Sequence, residues 1–204
     1  MSGVIMVAMK QRLRQALSQR QKQHIVNTSY EPAAVLLPIY YKNGEYHILF
    51  TKRTEKVLKH KGEISFPGGS SQEDDAGLVD TALRECAEEI GLTADKVEIL
   101  GELDDMATET SSYIISPFVG LIPYPYQFKA NREEIDEIIE VPISALLDKD
   151  CLHLENKVKQ GKEITLYFYH YQGRVIWGAT ARILNQFLDI FAQAMGDNQE
   201  MRKD

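Results

Sequence analysis

The chain has 204 residues, 44% of them hydrophobic, enough to bury one sizeable core and too few for two ordinary domains. Its net charge of −7 is unevenly spread: the first 30 residues hold Lys10, Arg12, Arg14, Arg20 and Lys22 and no acid, so the remainder carries −12. Such a body repels a nucleic-acid backbone, whose binding relies on Lys and Arg displacing counterions, whereas acids gathered in one place attract metal.

From residue 4 to about 24, Ile5, Met9, Leu13, Ala16 and Leu17 recur at helical spacing opposite a basic face, predicting an amphipathic helix that packs or meets a partner. An acid-free, Arg-containing start also resembles an organelle-targeting peptide, without the Ser enrichment usual there. Residues 33–41 and 46–52 are apolar and aromatic, and Asn43-Gly44 between them favours the turn of a tight hairpin. After a Gly-rich loop near Phe66, a helical pattern covers 76–90, followed by strands at 97–103 and 113–122. Pro123 and Pro125 mark a loop, and an acidic segment at 131–140 leads through Val141-Pro142 into a short helix around 144–147. A second hairpin, 164–171 with 174–177, turns at Gln172-Gly173, and 179–195 has helical periodicity.

Strands and helices interleave without a regular repeat, which predicts an α/β fold with a mixed sheet flanked by helices. The expected division is an amino-terminal helix and linker at 1–28, one domain at 29–195 and a frayed tail at 196–204. No run of about 18 uncharged apolar residues appears, so no membrane span is expected. Cys86 and Cys151 are too few for a disulfide framework and lack zinc-ligand spacing, which suits a reducing, cytoplasmic setting.

The helical segment around Leu83-Arg84-Glu85-Cys86-Ala87-Glu88-Glu89-Ile90-Gly91 carries the chemistry. Residues three and four apart share a helix face, so Glu85, Glu88 and Glu89 fall within one sector of roughly 100°. The opposite sector collects Val79, Leu83, Cys86, Ala87 and Ile90, a stripe suited to a sheet. Gly91 can end the helix in a left-handed conformation, and Asp74 or Asp75 can cap its start. A solvated acidic face is the common fate of such glutamates. Their repulsion, met locally by Arg84 alone, would be removed by divalent cations that take oxygen ligands and share them with phosphates. Gly68 and Gly69 in Phe66-Pro67-Gly68-Gly69 permit close backbone approach to a ligand, and a carbonyl there could complete the coordination.

Together Gly68-Gly69, Arg84-Glu85, Glu88-Glu89 and Gly91-Leu92 closely resemble the signature box of the Nudix hydrolases. The resemblance implies an α/β/α sandwich that cleaves diphosphates of nucleoside derivatives with Mg2+ or Mn2+. It implies Glu85 and Glu89 as metal ligands, Glu88 as a further ligand or water-activating residue, the Gly69 carbonyl as another ligand, and Arg84 as orienting the carboxylates. In the general box the arginine stands fourteen positions after the second glycine, with a glutamate eight before the arginine; here Arg84 stands fifteen after Gly69, and the position eight before it is Ala76, with Asp75 its neighbour.

The departure looks like the coenzyme A diphosphatase subgroup. Its upstream pattern corresponds to Leu49-Phe50-Thr51-Lys52-Arg53-Thr54, then Leu58, Gly62 and the 66–69 loop, with Phe50, Thr54 and Leu58 replacing Leu, Ser and Arg. Ser111-Ser112-Tyr113, Pro117-Phe118-Val119-Gly120 and Ile176-Trp177-Gly178-Ala179-Thr180-Ala181 are also similar to that subgroup. The implied substrate is coenzyme A, and a homodimer occurs among such relatives.

Glu134 competes with Glu88 as the base, because 131–142 resembles a downstream family run; an ordinary acidic loop is the alternative. Arg53, at a strand end, could meet a phosphate bidentately or form a surface salt bridge. Lys56, Lys59 and Lys61 read as a solvated loop, His60 as solvated, and Tyr113 and Trp177 as core or sheet residues. Two other classes of function stand beside the enzyme: a module that senses a nucleotide without cleaving it, disfavoured because all three glutamates are present, and an interaction or membrane-surface role for the basic helix.

Overall fold

In the computed structural model, which describes residues 2–27, 29–56, 60–108, 111–159 and 161–196, β1 (Glu31–Lys42) turns back into β2 (Glu45–Arg53). Asn43 (φ 52°) and Gly44 (φ 96°) supply the two positive backbone angles that match a tight turn to the strand twist. β1 also runs parallel to β7 (Tyr113–Leu121), which makes it central and the sheet mixed. β5 (Glu98–Glu102) and β6 (Met106–Ala107) pair with β7, β4 (Gly68–Ser70) with β1, and β3 (Ile64–Ser65) and β8 (Ile135–Pro142) with β2.

A central strand is buried on both faces, and β1 alternates accordingly. Ala34, Leu36 and Tyr40 belong to the core under α2 (Leu78–Ile90), with Ala82, Cys86 and Ile90 of that helix. Leu37 and Ile39 belong to the opposite core, which α1 (Ser2–Ser18) closes with Met9, Leu13 and Leu17 and α4 (Gly178–Ala194) with Leu184, Phe187 and Phe191. Each Leu, Ile, Met or Phe among them contributes roughly 1.5–3 kcal/mol when fully buried. The result is the α/β/α sandwich expected.

α1 stops at Ser18, short of the expected end near residue 24. Beyond Leu17 the apolar stripe has no further member, and the extended chain instead pairs Arg20 with Asp104 at 2.8 Å and Lys22 with Glu102 at 2.7 Å. Lys10 and Arg14 both reach Glu98 at 2.8 Å, so the helix packs and its basic face meets acids of the same chain. Among the described residues no helix is long and apolar enough to cross a membrane.

Besides the short β3, β4 and β6, two longer strands escaped the sequence. The acidic segment at 131–140 contributes β8, whose Ile135, Ile139 and Val141 are buried while Asp136, Glu137 and Glu140 between them mask the alternation. After α3 (Ile143–Leu147), β9 (Leu152–Lys159) joins β10 (Lys162–Tyr171) and β11 (Arg174–Ile176) in a separate three-stranded sheet. The β10–β11 turn has Gln172 (φ 48°) and Gly173 (φ 76°) as expected. Trp177 is not a core residue: it precedes α4 and is 49% exposed. Beyond Gly196 the expected tail lies outside the described residues.

Candidate active site

The site forms where the end of β2, the 66–69 loop and the outer side of α2 meet. Phe66 is buried and stacks on Phe50 with ring centroids 4.8 Å apart, and the Pro67 carbonyl accepts from the Leu36 N–H at 2.9 Å. The loop is thus fixed from beneath before its glycines pair with Val35 and Ala34. A side chain fits at neither. A Cβ on Gly68 would lie 2.3 Å from the Ala34 carbonyl oxygen, and one on Gly69 would lie 2.6 Å from the Glu85 carboxylate. The second glycine therefore lets a carboxylate rest against the loop.

α2 ends at Gly91 (φ 69°), as its sequence predicted. Its start differs. Gly77 is the residue before the first turn, without a side-chain cap, and neither Asp74 nor Asp75 serves as one. Asp75 is occupied elsewhere, accepting from the Gln72 N–H at 2.9 Å, the Thr81 hydroxyl at 2.8 Å and both Nε and Nη2 of Arg84 at 3.0 and 3.1 Å. Arg84 also donates to Glu85 at 2.8 Å, to Glu88 at 3.2 Å and to the Ser70 carbonyl at 3.0 Å. One guanidinium thereby joins the glycine loop, the approach to α2 and two of its glutamates. Its hydrogen bonds hold Asp75 well below the usual carboxylate range, and Asp75 in turn raises Arg84. Helical spacing could not have found this clamp, because a loop separates Asp75 from the helix; its position beside Ala76 was the available signal.

The helix is also rotated from the expected orientation. Its buried set is Thr81, Ala82, Cys86, Glu89 and Ile90, and Ala87 is exposed. Glu89 therefore lies on the packed side instead of the outer one. The Glu88 side chain is 53% exposed, the Glu85 side chain 15%, and Glu89 only 3% as a residue. Glu89 Oε1 faces Arg53 Nη1 at 3.6 Å, while Glu89 Oε2 and Arg53 Nε are buried without a hydrogen-bond partner. Burial pushes the Glu89 carboxyl up to about 8, against the pull of Arg53 and with added repulsion from Glu85 and Glu134. Burial likewise raises Glu85, although Arg84 lowers it.

Glu134 arrives on a loop strapped between two elements. The Asn131 N–H donates to the Glu89 carbonyl at 2.8 Å, and the Thr54 N–H donates to the Glu134 carbonyl at 2.8 Å. The carboxylate of Glu134 accepts from the Asn131 amide at 3.4 Å. Arg53, Gly68, Gly69, Arg84, Glu85, Glu88, Glu89 and Glu134 are therefore gathered by four separate stretches of chain. His60 is bonded to Glu63 at 2.9 Å and Lys56 stands 3.8 Å from Glu133; Leu58 and Lys59 lie outside the described residues.

The donor set consists of oxygen atoms, with one buried carboxylate oxygen left unpartnered and a glycine clearing the space against Glu85. Such a set suits Mg2+ or Mn2+. As the side chains stand, no three His, Cys, Asp or Glu among the described residues form a ready-made metal cluster, and Glu88 is turned out to Arg84.

Residues 30–165 match the NUDIX domain. The chain belongs to the Nudix family and is a hydrolase of diphosphate bonds in nucleoside diphosphate derivatives. The uncharacterized Nudix hydrolase NudL of Photorhabdus laumondii is 38% identical over 154 residues, spanning 76% of this chain and 81% of the relative. NudL of Yersinia pestis is 35% identical over 161 residues, spanning 79% and 80%. The crystal structure of a MutT/nudix family protein from Enterococcus faecalis shares the fold, with a TM-score of 0.53 and 13% identity over 88% of this chain and 71% of that one. Nudix hydrolases generally use divalent ions such as Mg2+ or Mn2+.

Proposed function

We propose that this Nudix hydrolase cleaves coenzyme A or its derivatives at the diphosphate, giving 4′-phosphopantetheine and adenosine 3′,5′-diphosphate, and acts in the cytoplasm as a homodimer. The observation that carries the site is the buried Glu89 carboxylate, one oxygen of which has no hydrogen-bond partner, set near Glu85 and the glycine loop and faced by Arg53. A buried carboxylate left half-satisfied calls for a cationic partner. Glu85, Glu89 and the Gly69 carbonyl would hold Mg2+ or Mn2+, with Glu88 a further ligand.

A bound divalent metal would supply charge neutralisation at the diphosphate and would make water acidic enough to serve as the nucleophile. Arg53 meets a phosphate oxygen from the end of β2, where a planar guanidinium serves better than an ammonium. The space left by the missing side chains of Gly68 and Gly69 is taken by β1 and by Glu85, so the part of this loop is to set Glu85 beside the diphosphate. Arg84 orients Glu85 and Glu88, and Glu88 or Glu134 takes the proton of the attacking water.

Support for coenzyme A within the family comes from the run through Leu49-Phe50-Thr51-Lys52-Arg53-Thr54 and on to the 66–69 loop. Its two halves fold onto one another, with Thr51 opposite Ser65 and the Arg53 N–H on the Glu63 carbonyl at 3.0 Å, and both border the same cluster. Incubating the purified protein with coenzyme A and Mn2+, then separating the products, tests the reading. The two phosphorylated fragments are expected; an intact substrate, with turnover of adenosine diphosphate ribose or a dinucleotide instead, would move the specificity elsewhere in the family.

A further inference from the structure

Among the described residues, β9 pairs with β10 along one side and with no strand along the other. Its eight residues run without proline, bulge or register shift. Leu152 is packed at the root, but Leu154 is 51% and Val158 77% exposed further out. A long, regular edge with exposed apolar side chains is a template for another strand, which proteins ordinarily cover or blunt. Lysine on an edge can be such a guard. Here, however, Lys157 stands two residues from Glu155, and the pattern around Asn156 is complementary to itself.

We infer that β9 is the docking edge for a second copy of this chain, β9 against β9 in antiparallel pairing about a two-fold axis at Asn156. The two three-stranded sheets then become one of six strands. Residues directly opposite in an antiparallel pair share a face. This register sets Glu155 against Lys157 of the partner on one face and Leu154 against Val158 on the other, and the two-fold repeats each contact. Neighbouring registers fail. An axis at Glu155 or at Lys157 opposes like charges, and an axis between Glu155 and Asn156 sets Leu154 against Lys157. An axis at Leu154 would carry the pairing back into Leu152 and the buried Cys151, which the fold already uses.

Sedimentation velocity of the full chain across micromolar concentrations tests the edge. The wild-type protein is expected to dimerise reversibly. Lys157→Glu alone, or Glu155→Lys alone, opposes like charges twice per dimer and should weaken association by about tenfold or more. Mixing those two single variants should restore the dimer, because each supplies the charge the other needs at both contacts. Circular dichroism of each variant verifies folding, so loss of association is not mistaken for loss of structure. A wild-type protein that stays monomeric overturns the inference, as does a dimer indifferent to either single variant or a folded pair of variants that does not associate when mixed.

Discussion

Glu89 is an acid held where water hardly reaches, and the behaviour of the candidate site follows from that. With its carboxyl near pH 8, the folded metal-free protein retains a proton that the unfolded chain has already released. Stability contributed by this group is therefore present at low pH and declines as pH rises from about 5 to about 8. Glu85, raised by burial as well, acts in the same direction. Calorimetry in the presence of a chelator should show the thermal midpoint falling across that interval, and Glu89→Gln should flatten the fall. The same substitution is expected to reduce turnover by about 100-fold or more while leaving the circular dichroism unchanged, since it removes a charged metal ligand. Full activity would contradict the ligand assignment. Gly69→Ala makes a separate test: its Cβ would come 2.6 Å from the Glu85 carboxylate and push it from the loop, lowering Mn2+ affinity in a titration without unfolding the sheet. Spacing named these three glutamates as a group. It could not say which one turns inward, because Ala87 and Glu89 flank the Cys86–Ile90 stripe on opposite sides, each about 60° from it, and a modest rotation of the helix buries one or the other.

At the scale of elements, α2 is held in place by Arg84 as well as by its apolar residues. The guanidinium makes two bonds to Asp75 and one each to Ser70, Glu85 and Glu88, a fork that an ammonium cannot reproduce. Arg84→Lys should therefore cost about 10- to 100-fold in activity or metal affinity, with secondary structure intact. An unchanged enzyme would mean that the glutamates need no such orientation. Both turns, at Asn43-Gly44 and Gln172-Gly173, were legible because left-handed backbone angles demand particular residues locally. β8 and β9 were not, since each is an edge strand whose solvent-facing charges interrupt the apolar alternation. The end of α1 at Ser18 was equally hidden: it depends on Asp104 and Glu102, some 80 residues away, drawing the basic chain off the helical path.

For the whole molecule, the uneven charge of the sequence becomes an internal match. Lys10, Arg14, Arg20 and Lys22 meet Glu98, Asp104, Glu102 and Asp105, so the basic start lies against the acidic body instead of facing outward. Beneath those pairs Leu13 is completely buried between α1 and the rest of the core. Leu13→Ala should lower stability by about 2–5 kcal/mol in urea unfolding, while turnover per folded molecule is unchanged. A negligible loss would show that α1 is dispensable to the core. The sequence by itself determined a mixed sheet flanked by helices, the two tight turns and the residues of the glycine loop and acidic helix, because these rest on periodicity and conformational preference within a few residues. Only the tertiary structure decided that Glu89 is buried opposite Arg53, that Asp75 holds Arg84 instead of capping α2, and that Glu134 comes within electrostatic reach of Glu85 and Glu89. Those outcomes depend on burial and on charges brought together from distant parts of the chain, and no local pattern encodes them.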